Sequence, residues 1–144
     1  MDVPEQLQPL AVASKFDHQE LTVEIAADRI VEACRILKQD LGYERLSIVT
    51  AVDRYPAEPR FEVVYHIHSV QHNRRLRLKV RLAGDDPKVE SVTSVWRSAN
   101  WYEREAFDLF GITFLNHPDL KRIMMPEDWE GHPLRKDYPV TGYK

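Results

Sequence analysis

The sequence is poor in cysteine, the residue that forms disulfides and binds zinc and iron–sulfur clusters. Its 144 residues include a single cysteine, Cys34, which excludes an internal disulfide and cannot by itself bind a zinc ion or an iron–sulfur cluster. Cys34 lies on the apolar stripe of a predicted helix, where a small buried side chain is far more common than a nucleophile. We therefore assign Cys34 to the core and expect a reducing compartment.

Long apolar runs and a strong net charge are also missing. No apolar stretch approaches the roughly 20 residues that cross a bilayer, and the start of the chain lacks the layout of a secretory signal. The formal charge of -3 gives no general attraction to nucleic acid or anionic lipid. The 43% of apolar residues is enough for one globular domain. Any membrane association is expected to depend on another chain.

The first half of the chain predicts an α+β domain. Residues 1–17 show no sustained period and are predicted to form an N-terminal tail. Leu21, Val23 and Ile25 then alternate as in a short strand, and apolar residues recur at helical spacing from Ile30 to Leu41. Gly42 follows as a plausible C-terminal cap.

Three further strands are predicted as an antiparallel meander around residues 46–52, 61–67 and 76–82. In the third strand the apolar residues alternate with basic ones, so one face belongs to the core and the other faces solvent or a partner. A nucleic-acid platform would need aromatic residues among the basic ones, and these are missing. The basic residues are Arg75, Arg77, Lys79 and Arg81.

A second helix of about ten residues is predicted between Asn100 and Gly111. Asn100 and Glu103 have the spacing of a capping box, and Gly111 is a natural helix end. Arg104 and Asp108 have the spacing of a surface ion pair. The helix carries more apolar side chains than one sheet face needs, which indicates contact with another chain.

Neither the histidines nor the carboxylates of the chain form a convincing metal or catalytic motif. His66 and His68 share a strand face and His72 follows in the turn, but no carboxylate or thiol stands at ligand spacing, so exposed polar residues explain them better. Glu103, Glu105 and Asp108 could supply paired carboxylates for acid/base chemistry, but no nucleophile motif or glycine loop accompanies them. Ion pairs on a helix surface require fewer assumptions.

Three segments, taken in their order along the chain, resemble the signature of a known family. They are Glu103–Ile112, His117–Met124 and Gly131–Pro139, the last reading Gly-His-Pro-Leu-Arg-Lys-Asp-Tyr-Pro. Together they resemble the signature of the 30 kDa subunit family of NADH:quinone oxidoreductase (complex I). The resemblance implies an α+β domain over 18–125, mainly an antiparallel sheet packed with helices, and an extended partner-binding C-terminal segment over 126–144.

The resemblance further implies a subunit without catalytic residues, cofactor or metal of its own. It would pack against the 49-kilodalton-type subunit, which we call the quinone-site subunit, and against neighbouring iron–sulfur subunits. FMN, iron–sulfur clusters, NADH and quinone would belong to the whole complex, and the chain would be peripheral on the cytoplasmic side of the bacterial inner membrane. Membrane-bound nickel–iron hydrogenases and ferredoxin-linked complexes contain equivalent subunits and stay open as alternatives. The residues implied to contact partners are Glu103, Arg104, Glu105, Asp108, His117, Arg122, His132, Pro133, Leu134, Arg135, Lys136, Asp137 and Tyr138.

Overall fold

The computed structural model describes residues 3–139 and shows a five-stranded sheet with helices against one face. The strand order is β1-β2-β5-β4-β3, with β2 and β5 parallel and the other pairs antiparallel. The predicted α+β class and the meander β3-β4-β5 are confirmed. The elements are β1 Ala11–Asp17, β2 Glu20–Ile25, α1 Ile30–Arg35, β3 Arg45–Asp53, β4 Phe61–Ser69, β5 Arg74–Leu82, β6 Lys88–Glu90, α2 Ala99–Phe110 and β7 Thr113–Leu115.

The core lies between the helices and one face of the sheet. In β5 the apolar side chains are buried at every second position, while the basic residues between them lie on the opposite face. Alternation places all the side chains of one set on the same face of a strand. Cys34 of α1 is fully buried in this core, as predicted. The residues of β5 in the core are Leu76, Leu78, Val80 and Leu82.

The first helical segment is correctly placed but less regular than predicted. After α1 the chain continues through a π-helical turn over Ile36–Asp40. Gly42 follows with a φ of +74°, a left-handed conformation that glycine adopts without a steric penalty. The Tyr43 backbone N–H donates to the Leu37 carbonyl across this helix end.

The structure differs from the predicted tail over 1–17 at Ala11–Asp17. These residues form β1, which pairs with β2 at the edge of the sheet. Nearly all of β1 is exposed, including Phe16 at 49%. Since neither face of this edge strand is buried, its sequence carries no alternation that would have revealed it.

Helix α2 occupies the predicted position and ends at Gly111, whose φ is +77°. The predicted capping box is wrong, because the helix begins at Ala99 and Ser98 at its N-cap forms no capping hydrogen bond through its side chain. Tyr102, Phe107 and Phe110 pack against the core while partly buried. Strands β6 and β7 form a small parallel pair beside the helix. Within residues 3–139, no helix is long and apolar enough to span a membrane.

Candidate functional site

The last turn of α2 is held by the C-terminal part of the chain. The last four carbonyls of a helix have no partner inside the helix and must be satisfied from outside. Here each accepts a hydrogen bond, three of them from residues of the second and third signature segments, and together these contacts form what we call the C-terminal clamp. The donors are Gly111 N to Phe107 O (2.9 Å), Arg122 Nη2 and His132 Nδ1 to Asp108 O (3.1 and 3.0 Å), Leu134 N to Leu109 O (3.0 Å) and Arg135 Nε to Phe110 O (2.7 Å).

Gly111 is required at the clamp for two separate reasons. Its positive φ disfavours any residue with a Cβ. A Cβ built there would also lie 2.6 Å from Arg135 Nη2 and 2.7 Å from ring atoms of His132. Arg135 and His132 would therefore have to shift to make room for a methyl group at this position.

The carboxylate of Asp108 is fully buried and has four donors. Arg122 Nε donates to Oδ1 at 2.6 Å, and the backbone N–H groups of Ile123, Met124 and Met125 all donate to Oδ2. Burial alone would raise the pKa of Asp108, but these hydrogen bonds outweigh it and hold the pKa below its ordinary value. The predicted ion pair between Arg104 and Asp108 is wrong, because Asp108 points inward.

Arg122 connects this carboxylate to the rest of the clamp. Its Nη1 donates to the Trp129 carbonyl at 2.7 Å and its Nη2 to the Gly131 carbonyl at 2.8 Å. His132 Nδ1 must carry a proton, since the Asp108 carbonyl can only accept. One arginine thus ties the end of α2 to two points of an extended segment that has no helix or strand of its own up to residue 139.

A second ion cluster holds the same segment against the sheet. Arg60 binds both oxygens of Asp53, at 2.8 and 2.9 Å, and also Asp137 Oδ1 at 2.6 Å. The Lys136 backbone N–H donates to Asp53 Oδ2. Burial would raise the pKa of Asp53, but the bonds from Arg60 and the two backbone donors at Lys136 and Tyr55 lower it well below its usual range.

Glu103 is the buried carboxylate of α2 that lacks a strong cationic partner. Its Oε1 lies 2.6 Å from Ser91 Oγ, and its Oε2 accepts from the Val92 backbone N–H at 2.9 Å. Burial raises the pKa of Glu103 to about 7. The buried Glu103 side chain therefore holds the segment that precedes α2. The prediction that Glu103 lies on the helix surface is wrong.

His117 and Arg104 bind the loop that follows β7. His117 Nδ1 accepts from the Asp119 backbone N–H, so Nε2 carries the proton that faces the Asn100 carbonyl at 3.2 Å. Burial lowers the pKa of His117. Arg104 donates to the Lys121 carbonyl at 3.2 Å. Both side chains thus fix the chain's own backbone.

The remaining predicted residues lie on the outside of the clamp. Leu134 and Lys136 are exposed, in contrast to the half-buried Arg135 between them. Glu105 is half-buried and lines a narrow cleft together with Leu134. The exposed Trp129 donates through Nε1 to the Tyr138 hydroxyl at 3.2 Å. Pro133 is half-buried.

Sequence reasoning missed three residues that complete this arrangement: Asp53, Arg60 and Ser91. Asp53 and Arg60 contact residues 136 and 137, more than seventy positions away. No local spacing signals such a contact. Ser91 is an ordinary serine in a short connection, and its role depends entirely on the burial of Glu103.

The contacts described at this site are hydrogen bonds and ion pairs within the chain. Across residues 3–139, histidine, cysteine and carboxylate side chains nowhere form a group of three that could hold a metal ion. The charged groups of the clamp bind one another or backbone groups of the same chain. What the arrangement does is to fix one face of α2 and an extended segment in a single geometry.

Comparison with known proteins identifies the family. The family model described as respiratory-chain NADH dehydrogenase, 30 Kd subunit, matches residues 23–144. The chain is 52% identical over 124 residues to an NADH-quinone oxidoreductase subunit of Geobacter sulfurreducens, covering 85% of this chain and 76% of that protein. It is 54% identical over 122 residues to the corresponding protein of Rhizobium etli, covering 83% and 65%.

Two solved structures share the fold. One, described as Nqo5 in a trypsin-resistant fragment, is 32% identical with a TM-score of 0.69, covering 75% of this chain and 89% of that one. The other belongs to a membrane-bound sulfane sulfur reductase, an archaeal respiratory membrane complex, and is 28% identical with a TM-score of 0.80, covering 93% and 81%. The predicted resemblance is confirmed, and the chain belongs to the 30 kDa subunit family of the respiratory-chain NADH dehydrogenase.

Proposed function

We propose that the chain is a non-catalytic peripheral-arm subunit of a proton-translocating NADH:quinone oxidoreductase, where it scaffolds the quinone-site subunit of the 49-kilodalton type. Electron transfer and quinone chemistry depend on fixed distances, so such a chain supports turnover through positioning alone. In this proposal FMN, the iron–sulfur clusters, NADH and quinone are bound by other chains. The chain reaches the cytoplasmic face of the bacterial inner membrane only through the complex.

The observation that carries the proposal is the C-terminal clamp. The charged side chains of the clamp bind groups of the same chain and thereby fix the backbone of the C-terminal segment. The side chains between them point outward and are available to contact a partner. Leu134 is 52% exposed, although its own backbone N–H is bound to the Leu109 carbonyl. Leu134 and Lys136 are therefore the residues we expect to touch the quinone-site subunit directly.

The other predicted partner residues act on that surface indirectly. Arg122, His132 and Arg135 hold the segment on α2, while Asp137 holds it on the sheet through Arg60. Removing any of them would displace Leu134 and Lys136 from the partner. These four side chains are positioning residues in the assembly.

An equivalent subunit of a related membrane complex is the second candidate. The structural similarity to a chain of a membrane-bound sulfane sulfur reductase shows that this fold is not restricted to one kind of complex. The higher identity to subunits of bacterial NADH-quinone oxidoreductases favours the first candidate. A nickel–iron hydrogenase or a ferredoxin-linked complex would use the same clamp with a different electron donor.

Purification of the tagged chain from its native membranes in mild detergent separates these candidates. We expect recovery with the quinone-site subunit, iron–sulfur subunits and inhibitor-sensitive NADH:quinone activity. Recovery with a nickel-bearing large subunit would assign the chain to a hydrogenase-type complex. Recovery of the chain alone, with activity of its own, would contradict the scaffold function.

The partner surface is tested by comparing substitutions of exposed and of half-buried residues in the C-terminal segment. Leu134→Ala and Lys136→Ala are expected to keep the unfolding curve of the isolated chain but to lower recovery of the quinone-site subunit in a pull-down. Arg135→Ala is expected to lower both, because it removes the bond to the Phe110 carbonyl. Arg97→Ala, at an exposed position outside the clamp, is the control. Normal recovery with both outward variants would reject this surface.

A further inference from the structure

The four basic residues on the open face of β5 divide into two groups that differ in their partners. Three of these four bind carboxylates of neighbouring strands across the open face of the sheet. Arg75 does not: it has no ion-pair or hydrogen-bond partner within residues 3–139 and is exposed. The three ion pairs are Arg77 with Glu20 (2.6 Å), Lys79 with Glu62 (3.7 Å) and Arg81 with Glu24 (2.9 Å).

Arg75 belongs to a row of basic residues that crosses three strands. His68 of β4 lies directly opposite Arg45 in β3 and directly opposite Arg75 in β5. Residues opposite each other in paired strands share a face, with their Cβ atoms about 5 Å apart. Arg45 is also exposed and, like Arg75, has no ion-pair partner in the described part of the chain. We call Arg45, His68 and Arg75 the cationic row.

The cationic row is unfavourable in the isolated subunit. Arg45 and Arg75 lie on either side of His68, about 10 Å apart, and repel each other. Burial first, and then the positive charges of Arg75 and Arg45, lower the pKa of His68, against a smaller raising effect of Glu20, so His68 favours its neutral form between the two arginines. In a protein whose net charge is -3 and whose other basic residues on the open face of β5 are paired, this row has no evident internal use.

We propose that the cationic row binds an acidic segment of a neighbouring subunit in the complex. Guanidinium groups pair with carboxylates through two parallel hydrogen bonds, stronger than those of other cations. Arg45 and Arg75 stand two strand spacings apart, about 10 Å. Carboxylates at positions i and i+7 of a helix are separated by a similar distance, about 10.5 Å. Such a segment would place one carboxylate on each arginine.

The surroundings of the row favour a protein segment over a membrane or a nucleic acid. The same face of the sheet carries Glu20, Glu24 and Glu62, close to their basic partners. A broad, uniformly negative surface would have to approach these carboxylates as well. An acidic helix has a small footprint and can contact the row alone.

The row is separate from the C-terminal clamp. Phe61, at the start of β4, lies near the clamp through Arg135, whose guanidinium carbon is 5.2 Å from the centre of the Phe61 ring. His68 is seven residues further along the same strand, about 23 Å away. The inference rests on the proposed place of the chain in a multi-subunit assembly, and it can fail while the proposed contact of Leu134 and Lys136 holds.

Zero-length carbodiimide cross-linking in the intact membrane complex identifies what lies on the row. Arg45→Lys and Arg75→Lys keep the positive charge and supply an amine that couples to a carboxylate in direct contact. We expect peptides containing these lysines to be joined to aspartate or glutamate of another subunit. Arg35→Lys is the matched control, because Arg35 is exposed on α1 and has no ion-pair partner within residues 3–139. Coupling only to this chain's own carboxylates, to phospholipid or to nucleic acid would overturn the proposal.

Removing the charges of Arg45 and Arg75 provides a second test, because it should weaken retention in the complex without destabilising the isolated chain. Residues that only stabilised the fold would not show this combination. The double variant Arg45→Gln/Arg75→Gln is expected to be retained about tenfold less in the complex at low ionic strength, and the difference should shrink as added salt screens the ion pairs of the parent chain. Its isolated chain should unfold at an equal or higher denaturant concentration, because repulsion is relieved. The control is Arg35→Gln/Arg97→Gln, which removes two exposed charges elsewhere. Lower stability of the double variant, or retention equal to the control, would contradict the proposal.

Discussion

Asp108 and Arg122 form a buried ion pair in which Arg122 Nε lies 2.6 Å from Asp108 Oδ1, across fourteen positions of the sequence. Asp108 also accepts three consecutive backbone N–H groups, while Arg122 donates to the Trp129 and Gly131 carbonyls. The pair therefore fixes the loop after β7 and the C-terminal segment at the same time. Both residues belong to the segments that carry the family resemblance.

Asp108→Ala is expected to destabilise the isolated chain by about 3–5 kcal/mol, because it removes the carboxylate partner of the largely buried Arg122 and the acceptor of three backbone N–H groups. Urea unfolding followed by circular dichroism measures the change. Asp119→Ala removes a carboxylate of the same neighbourhood that is 52% exposed and pairs with Lys121, and it should cost less than about 1 kcal/mol. Equal costs for the two variants would mean that Asp108 is not the anchor of this loop.

Gly111→Ala and Gly42→Ala separate backbone strain from steric exclusion. Both glycines have a φ near +75°, so each alanine incurs a similar left-handed penalty of about 1–2 kcal/mol. A Cβ at Gly42 would meet the His72 ring at an ordinary 3.5 Å, whereas one at Gly111 would lie 2.6 Å from Arg135. We expect Gly111→Ala to be clearly the more destabilising in urea unfolding. It should also expose the C-terminal segment to trypsin, and Gly42→Ala should not.

The sequence predicted helix α2, its glycine end and the meander because each depends on neighbours within a few positions. It misplaced Glu103, since the same spacing that suggests a capping box also fits a carboxylate turned toward Ser91 in the core. It could not find Arg60, whose partner Asp137 lies 77 positions away. Local periodicity indicates which face of a helix or strand is buried. It does not indicate which residue from a distant part of the sequence contacts that face.

The basic face of β5 is a second example in which the sequence predicts the exposed face of a strand but not the partners of its residues. Its alternation correctly predicted one apolar and one basic face. The partners of the basic face come from β2 and β4, and β2 lies beside β5 through a parallel pairing that joins residues more than fifty positions apart. Only the sheet order distinguishes Arg77, which is paired with Glu20, from Arg75, which is not.

Glu103→Gln is expected to change the pH dependence of stability in a defined direction. The pKa of Glu103 is about 7 in the folded chain and about 4.5 when unfolded. Between these values the unfolded state loses the proton first, so ionisation lowers stability as pH rises from about 4.5 to 7. The total effect is on the order of 3 kcal/mol. The buried His117 opposes it, because a lowered pKa makes the fold more stable as pH rises.

The difference between the two stability curves isolates Glu103 from the other titrating groups. A glutamine amide can donate to Ser91 Oγ and accept from the Val92 N–H, as the protonated acid does. We therefore expect Glu103→Gln to match the parent chain near pH 5 and to exceed it above pH 7. Urea unfolding from pH 4.5 to 8 tests this, and parallel curves would show that folding does not shift the pKa of Glu103.

Arg60→Lys should release the C-terminal segment while leaving most of the domain intact. Lysine keeps the charge but cannot bind both oxygens of Asp53 and still reach Asp137. The resulting loss should be seen as faster hydrogen exchange at the amide of Lys136, which donates to Asp53. Asp137→Asn removes only the outer contact, at a carboxylate that is 43% exposed, and should cost less than about 1 kcal/mol. If Arg60→Lys left exchange at Lys136 unchanged, the clamp on α2 alone would hold the segment, and the Asp53–Arg60–Asp137 cluster would have no part in presenting Leu134.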